Sequence, residues 1–260
     1  MAGDFHLDCL AACSLSLARG RGRQAMKQTL RLFQIGLRQI TYDGMLLVLL
    51  AAPFLFGLLV KIGIPKADAW LFQQGALSIK PWYSLADGMI IILTPMLLAM
   101  VSAFLLLEER DEGTGAYYQI TPLEGYAYLA ARIGLPMVWS FLCLIVVTML
   151  CGIAHLTFLQ ILAAGLLSTL TGAALAMMVV SLAGNRVEGL AISKLTSLNL
   201  LGLLMVWFVP RPYQYLGAFL PGYWVGKIVE QGADWFSFGA GFLICCLWIT
   251  AFTRRFLRKI

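Results

Sequence analysis

Six apolar runs, at roughly 44–62, 88–107, 133–153, 157–183, 191–209 and 236–253, are each long enough to cross a bilayer as a helix and hold almost no ionisable residue inside them. In lipid the backbone must satisfy its own N–H and C=O groups, so runs of this length are read as helices. The 260-residue chain is 60% hydrophobic and 12% charged. That charge is about half of what a soluble domain carries. The reading is an all-α integral membrane protein with six transmembrane helices and no room for a separate catalytic domain.

Fourteen of the 19 Lys and Arg fall in the N-terminal segment, the second and fourth connections and the tail. The other five, Lys61, Lys66, Lys80, Arg211 and Lys227, fall on the opposite side. The positive-inside bias then places both termini of a multi-pass membrane protein in the cytoplasm. The net charge of +6 follows these topological flanks, so nucleic acid is not an expected partner.

Three regions are expected: an N-terminal extension at 1–26, an amphipathic interfacial helix at 27–43 and a six-helix transmembrane domain at 44–260. Within the first, Leu10-Ala11-Ala12-Cys13 looks like a lipoprotein cleavage site, but Asp4, His6 and Asp8 precede it where a basic, apolar leader is required. Met1 and Met26 both remain open as the start. In the second, Leu30, Phe33, Leu37 and Ile40 share one helical face and Lys27, Arg31, Gln34 and Arg38 another, suiting the headgroup layer. Asp43 and Asp87 each precede a span and are expected to be N-caps.

Catalytic and metal-binding motifs are absent, and no catalytic or metal-ligating residue is assigned. No pair of the six cysteines has zinc or redox spacing. Proton- or sodium-driven transporters place ionisable groups near the membrane midplane, and these spans do not. Their polar groups are mild. Thr94, Pro95, Ser197 and Asn199 are candidate path residues, with polar contact between helices as the alternative. Pro53, Pro95 and Pro136 are expected to interrupt the first three spans. Ser168, Gly172 and Ala176 place small residues at every fourth position of the fourth, suiting close internal packing. The connections at 63–87 and 210–235 are rich in aromatic residues and are expected to form short helices in or dipping into the interface. Tyr213, Tyr215, Tyr223 and Trp224 are the candidate external gate there, or an aromatic belt.

The connection after the second span reads Glu108-Glu109-Arg110-Asp111-Glu112-Gly113-Thr114, followed by Thr121-Pro122-Leu123-Glu124. The last four residues form a capping box that starts a new helix. The acids gain nothing from anionic lipid and suit a basic protein surface. Glu-Arg-x-x-Gly-Thr at 109–114 with Thr-Pro-Leu at 121–123 resembles the cytoplasmic loop of type-2 ABC transporter permeases, the six-helix subunits of type V exporters. The likeness covers roughly 27–260. Asn185-Arg186-Val187-Glu188-Gly189-Leu190 and Pro-Gly-Tyr-Trp at 221–224 look most like the permeases of fluoroquinolone-type drug export.

That resemblance implies the permease subunit of an ATP-driven exporter of a hydrophobic or amphipathic substrate. It implies a second permease copy or relative and a separate ATP-binding subunit that carries ATP and Mg; this chain itself would hold no cofactor. Glu108, Glu109, Arg110, Glu112, Gly113, Thr114, Thr121 and Pro122 would couple to that ATPase, with Arg186, Glu188 and Lys194 as a lesser contact or, alternatively, as topological anchors. A membrane-embedded lipid-modifying enzyme and a non-transporting scaffold are the alternatives.

Overall fold

The computed structural model describes residues 44–74, 78–113 and 130–258. The extension at 1–26, the amphipathic helix at 27–43 with Asp43, and Thr114, Thr121 and Pro122 lie outside the described residues. Every element described is helical. α1 is Gly44–Gln73, α2 Tyr83–Asp111, α3 Leu135–Cys151, α4 Phe158–Leu182, α5 Arg186–Thr196, α6 Leu198–Phe208, α7 Pro221–Gln231 and α8 Trp235–Leu257. Short 3-10 turns at Lys80–Trp82 and Tyr213–Phe219 precede α2 and α7, and a π-helical turn at Ala130–Gly134 leads into α3. Among the described residues, five helical stretches are long and apolar enough to cross a membrane.

Several expected boundaries move. α1 runs through Gln73, so the first half of the connection expected at 63–87 is a continuation of a helix with Pro53 and Pro65 inside it. α2 begins at Tyr83 and ends at Asp111, which makes Glu108 to Asp111 its last turn, not a loop. The expected fifth span is two helices, α5 and α6, meeting at Ser197, where the Ser197 N–H turns back to the Lys194 carbonyl at 3.2 Å. Pro136 lies in the first turn of α3, where its missing N–H costs nothing, and so does not break a span.

Asp87 is not the N-cap of α2. It lies inside that helix, 1% exposed, and its two carboxylate oxygens accept the N–H groups of Ile153 at 3.0 Å and Ala154 at 2.9 Å just past α3. Lys61 on α1 answers the other half of the same turn by donating to the Leu150 carbonyl. One acid and one base from two helices therefore close the end of a third.

α2 is the central element. In its most apolar stretch 83% of residues are buried inside the protein, against 17% for the last helix, which is mostly exposed. Its chief neighbour is α4, and the contact is built around Pro95. Proline has no N–H, so the Ile91 carbonyl one turn earlier loses its helical partner. Ser168 of α4 donates its hydroxyl to that carbonyl at 2.7 Å. One turn on, a Cβ added to Gly172 would stand 2.9 Å from the Pro95 carbonyl oxygen, so only glycine lets the helices approach this closely. Ala176 continues the small-residue face into a core with Ala99, Ala103 and Leu107. The packing expected of Ser168, Gly172 and Ala176 is thus internal.

Ser168→Ala should lower stability by about 1–3 kcal/mol, the cost of a stranded buried carbonyl. Adding Pro95→Ala restores an N–H to bond Ile91 and should recover most of that loss. Unfolding of both variants in detergent checks the coupling, and additive losses would refute it.

Candidate functional site

The connections gather at two ends. One end carries arginines. There Glu109, 2% exposed, is in contact with Arg132, 5% exposed, as a buried ion pair. Arg110 donates to the Ala183 carbonyl at 2.9 Å and the Val180 carbonyl at 3.4 Å, closing the C-terminus of α4, and its guanidinium lies 5.5 Å from the Phe256 ring centroid on α8. Glu108 faces Arg186 at 3.6 Å, and the Asp111 carboxylate accepts the Arg186 N–H at 2.9 Å. The final turn of α2 is therefore knitted to α4, α5 and α8 and to the turn before α3.

The run Asn185–Gly189 explains itself in the same junction. Asn185 accepts the Glu188 N–H at 2.8 Å as the N-cap of α5, and Glu188 reaches back to the Gly184 N–H at 2.6 Å. A Cβ on Gly189 would lie 2.4 Å from the Leu107 side chain, so glycine lets α5 cross α2 closely without displacing that leucine. Glu112 and Gly113 follow α2 in the open, with Gly113 at φ +69°, a left-handed turn that suits glycine. Of the expected coupling residues, Glu109 is thus buried, Glu112, Gly113 and Glu188 are exposed, and Glu108, Arg110 and Arg186 lie between. Arg132 gave no signal in sequence beyond its topological charge. What could have marked it is its position, a lone arginine at the mouth of an apolar run that must answer the acids ending α2.

The other end is aromatic. Trp82 stacks on Phe208 with centroids 5.1 Å apart, and Trp70, Phe72, Tyr213, Tyr215, Trp235 and Phe236 are exposed. Asp68, near the end of α1, accepts from the Ile79 N–H at 2.6 Å, the Ser78 hydroxyl at 3.0 Å and the Tyr83 hydroxyl at 3.2 Å, tying the start of α2 to α1.

From this end the chain turns back into the protein. After Phe208 the Tyr213–Phe219 turn descends along α6. A Cβ on Gly217 would meet Met205 at 2.7 Å, and one on Gly202 would meet Leu220 at 2.9 Å. Phe219 reaches Trp248, thirteen residues into α8, with ring centroids 5.4 Å apart. At the deepest point Gly222 donates its N–H to Asn199 at 2.8 Å. α7 then climbs back, so that Gln160 at the start of α4 lies 3.5 Å from the Ile228 carbonyl. Of the two connections expected to form short helices, 210–235 folds back against α6 as a hairpin of the Tyr213–Phe219 turn and α7.

This geometry divides the four candidate gate residues. Tyr213 and Tyr215 are exposed, whereas Tyr223 is 1% and Trp224 6% exposed, and the Trp224 indole donates to the Ala218 carbonyl at 2.9 Å. Among the candidate path residues, Thr94 and Pro95 of α2 are buried, Pro95 against Gly172 of α4 and the Thr94 hydroxyl bonded to the Ile90 carbonyl. Ser197 is exposed, and Asn199 is buried under the tip of the hairpin. Among the described residues no group of three His, Cys, Asp or Glu could hold a metal ion.

With a charged junction at one end and a re-entrant hairpin at the other, the comparisons with known proteins give the bundle its kinship. Residues 36–253 match the family described as fluoroquinolones export permease protein, Rv2686c-like. The chain belongs to this permease family. Two relatives in Mycobacterium tuberculosis, the fluoroquinolones export permease proteins MT2760 (strain CDC 1551 / Oshkosh) and Rv2686c (strain ATCC 25618 / H37Rv), are each 25% identical over 227 residues. Each alignment spans 84% of this chain and 89% of the relative. The match runs through both the charged junction and the hairpin, so both belong to the permease body.

Two outcomes test the permease's two ends. Glu109→Ala leaves Arg132 buried opposite a lost partner and should cost about 3–5 kcal/mol in detergent unfolding, whereas Glu109→Leu with Arg132→Met should regain most of it. Asp68 is held below its ordinary value of 3.8 chiefly by the Ile79 N–H, with Ser78, Tyr83 and the charge of Lys80 assisting against burial. A lowered folded value means that the anchor is fully present above pH 3.8 and is lost as pH falls through that lower folded value. Protection of the Ile79 amide in hydrogen exchange should fall on acidification, and Asp68→Asn should remove that dependence.

Proposed function

We propose that this chain is the membrane subunit of an ATP-driven exporter, with six spans and both termini in the cytoplasm. It pairs with a second permease, identical or related, and its arginine-bearing end meets a separate ATP-binding subunit that holds ATP and Mg. The substrate is an amphipathic, drug-like molecule, in keeping with the fluoroquinolone export in the names of its relatives. The path opens between the two permeases when the ATPase pulls on the junction.

The observation that carries this reading is the wiring of the last turn of α2. A pull on Glu112 and Gly113 acts at once on α4 through Arg110, on α5 through Arg186, and on the entry to α3 through Arg132. A surface charge that only solubilised a loop would not need such partners. The docking role then falls on the exposed residues Glu112, Gly113 and Glu188, while Glu109 and Arg110 transmit force inside the permease. Arg186 stands between the two sets.

Purification in mild detergent should bring down an ATP-binding protein, and Glu112→Lys should reduce drug export in cells several-fold while leaving the unfolding temperature of the permease unchanged. Full export by that variant would remove Glu112 from the coupling surface, and a permease that exports when reconstituted without any ATPase would end the proposal.

A further inference from the structure

Asn199 is the second residue of α6, directly past the break at Ser197, and is 2% exposed. Nine residues separate it from Phe208, about 14 Å of helical rise, which places it close to the middle of a hydrocarbon core of about 30 Å. The N-terminus of α7 arrives at the same depth. Pro221 offers no N–H, the Tyr223 N–H is taken by the Leu220 carbonyl at 3.1 Å, and the Gly222 N–H is taken by Asn199 Oδ1 at 2.8 Å. A Cβ on Gly222 would lie 2.2 Å from the Asn199 backbone oxygen, so the two segments meet backbone to backbone.

That bond fixes the amide. With Oδ1 turned to the Gly222 N–H, the Nδ2 group must point elsewhere, and it is buried without any acceptor. A buried donor with no partner is rare and unfavourable, and it calls for a reason. Capping α7 does not supply one, because an ionised aspartate would accept the same N–H without leaving a donor over. The unused N–H groups sit beside the positive end of the α7 dipole, where a helical span is discontinuous. Broken helices with an N-terminus at mid-depth are where transporters hold the anionic group of a substrate.

We propose that Asn199 Nδ2 and the N-terminus of α7 form a recognition point for the carboxylate of an amphipathic substrate, uncovered when the re-entrant hairpin moves away from α6. The site is a donor set without a formal positive charge, so it selects an oxygen anion by hydrogen bonding and releases it readily. This rests on the export reading and adds to it the chemical group that is read.

The test uses the full-length permease alone in lipid nanodiscs, with ciprofloxacin and its methyl ester as probes, followed by equilibrium dialysis. The wild type should bind the acid more tightly than the ester. Asn199→Asp keeps an oxygen for the Gly222 N–H but turns the free donor into an anionic oxygen. It should weaken binding of the acid at least about tenfold and leave the ester nearly unchanged. Asn199→Ser, which also caps, should narrow the preference for the acid and serves if the aspartate variant does not fold. Equal binding of acid and ester by the wild type, no binding of either, or an unchanged preference in both variants would overturn the site. Selective binding without export from cells would instead overturn the export reading and leave the site standing.

Discussion

A backbone group set free at a helix break has no water to turn to inside lipid, and this requirement governs how the helices of this permease meet. Pro95 releases the Ile91 carbonyl, and Ser168 of α4 answers it. The carbonyls ending α4 are answered by Arg110, the Leu150 carbonyl by Lys61, the amides of Ile153 and Ala154 by Asp87, and the Gly222 amide by Asn199. Each donor or acceptor comes from a different helix from the group it serves. With little hydrophobic driving force between helices in a bilayer, such bonds and close glycine contacts are what hold the register of the bundle.

The same economy produces the functional asymmetry of α2. A helix buried on nearly all sides cannot shift without dragging its neighbours, because the interior is close-packed. The buried charges of α2 itself lie near its two ends, Asp87 at the aromatic end and Glu109 at the arginine end. In the proposed exporter, a force applied at Glu112 would be delivered along a centrally packed helix that lies against α4 and reaches the hairpin through Ile92 beside Gly222. Under that proposal, coupling and gating would need no separate pathway, because one helix reaches both ends.

Much of the architecture was legible along the chain. Runs of apolar residues identify helices because a bilayer accepts no other open element, and the division of Lys and Arg predicts which connections cluster together, as they do at the two ends. Small residues at 168, 172 and 176 announce a close helix contact by spacing alone. The dip of 210–235 could be anticipated from its aromatic and proline content, since such a segment is too short and too broken to cross.

What the chain by itself determined about this protein is its class, its helical segments and the sides on which they are joined, because these follow from local hydropathy, spacing and charge. Only the tertiary structure decided the partners: that Glu109 meets Arg132 and Arg110 the end of α4, that Asp87 serves the turn after α3, and that Asn199 lies under the tip of α7. Those pairings join residues from 23 to 73 positions apart. No periodicity reports them, because which helix lies beside a freed carbonyl or amide is settled by packing, after the helices exist.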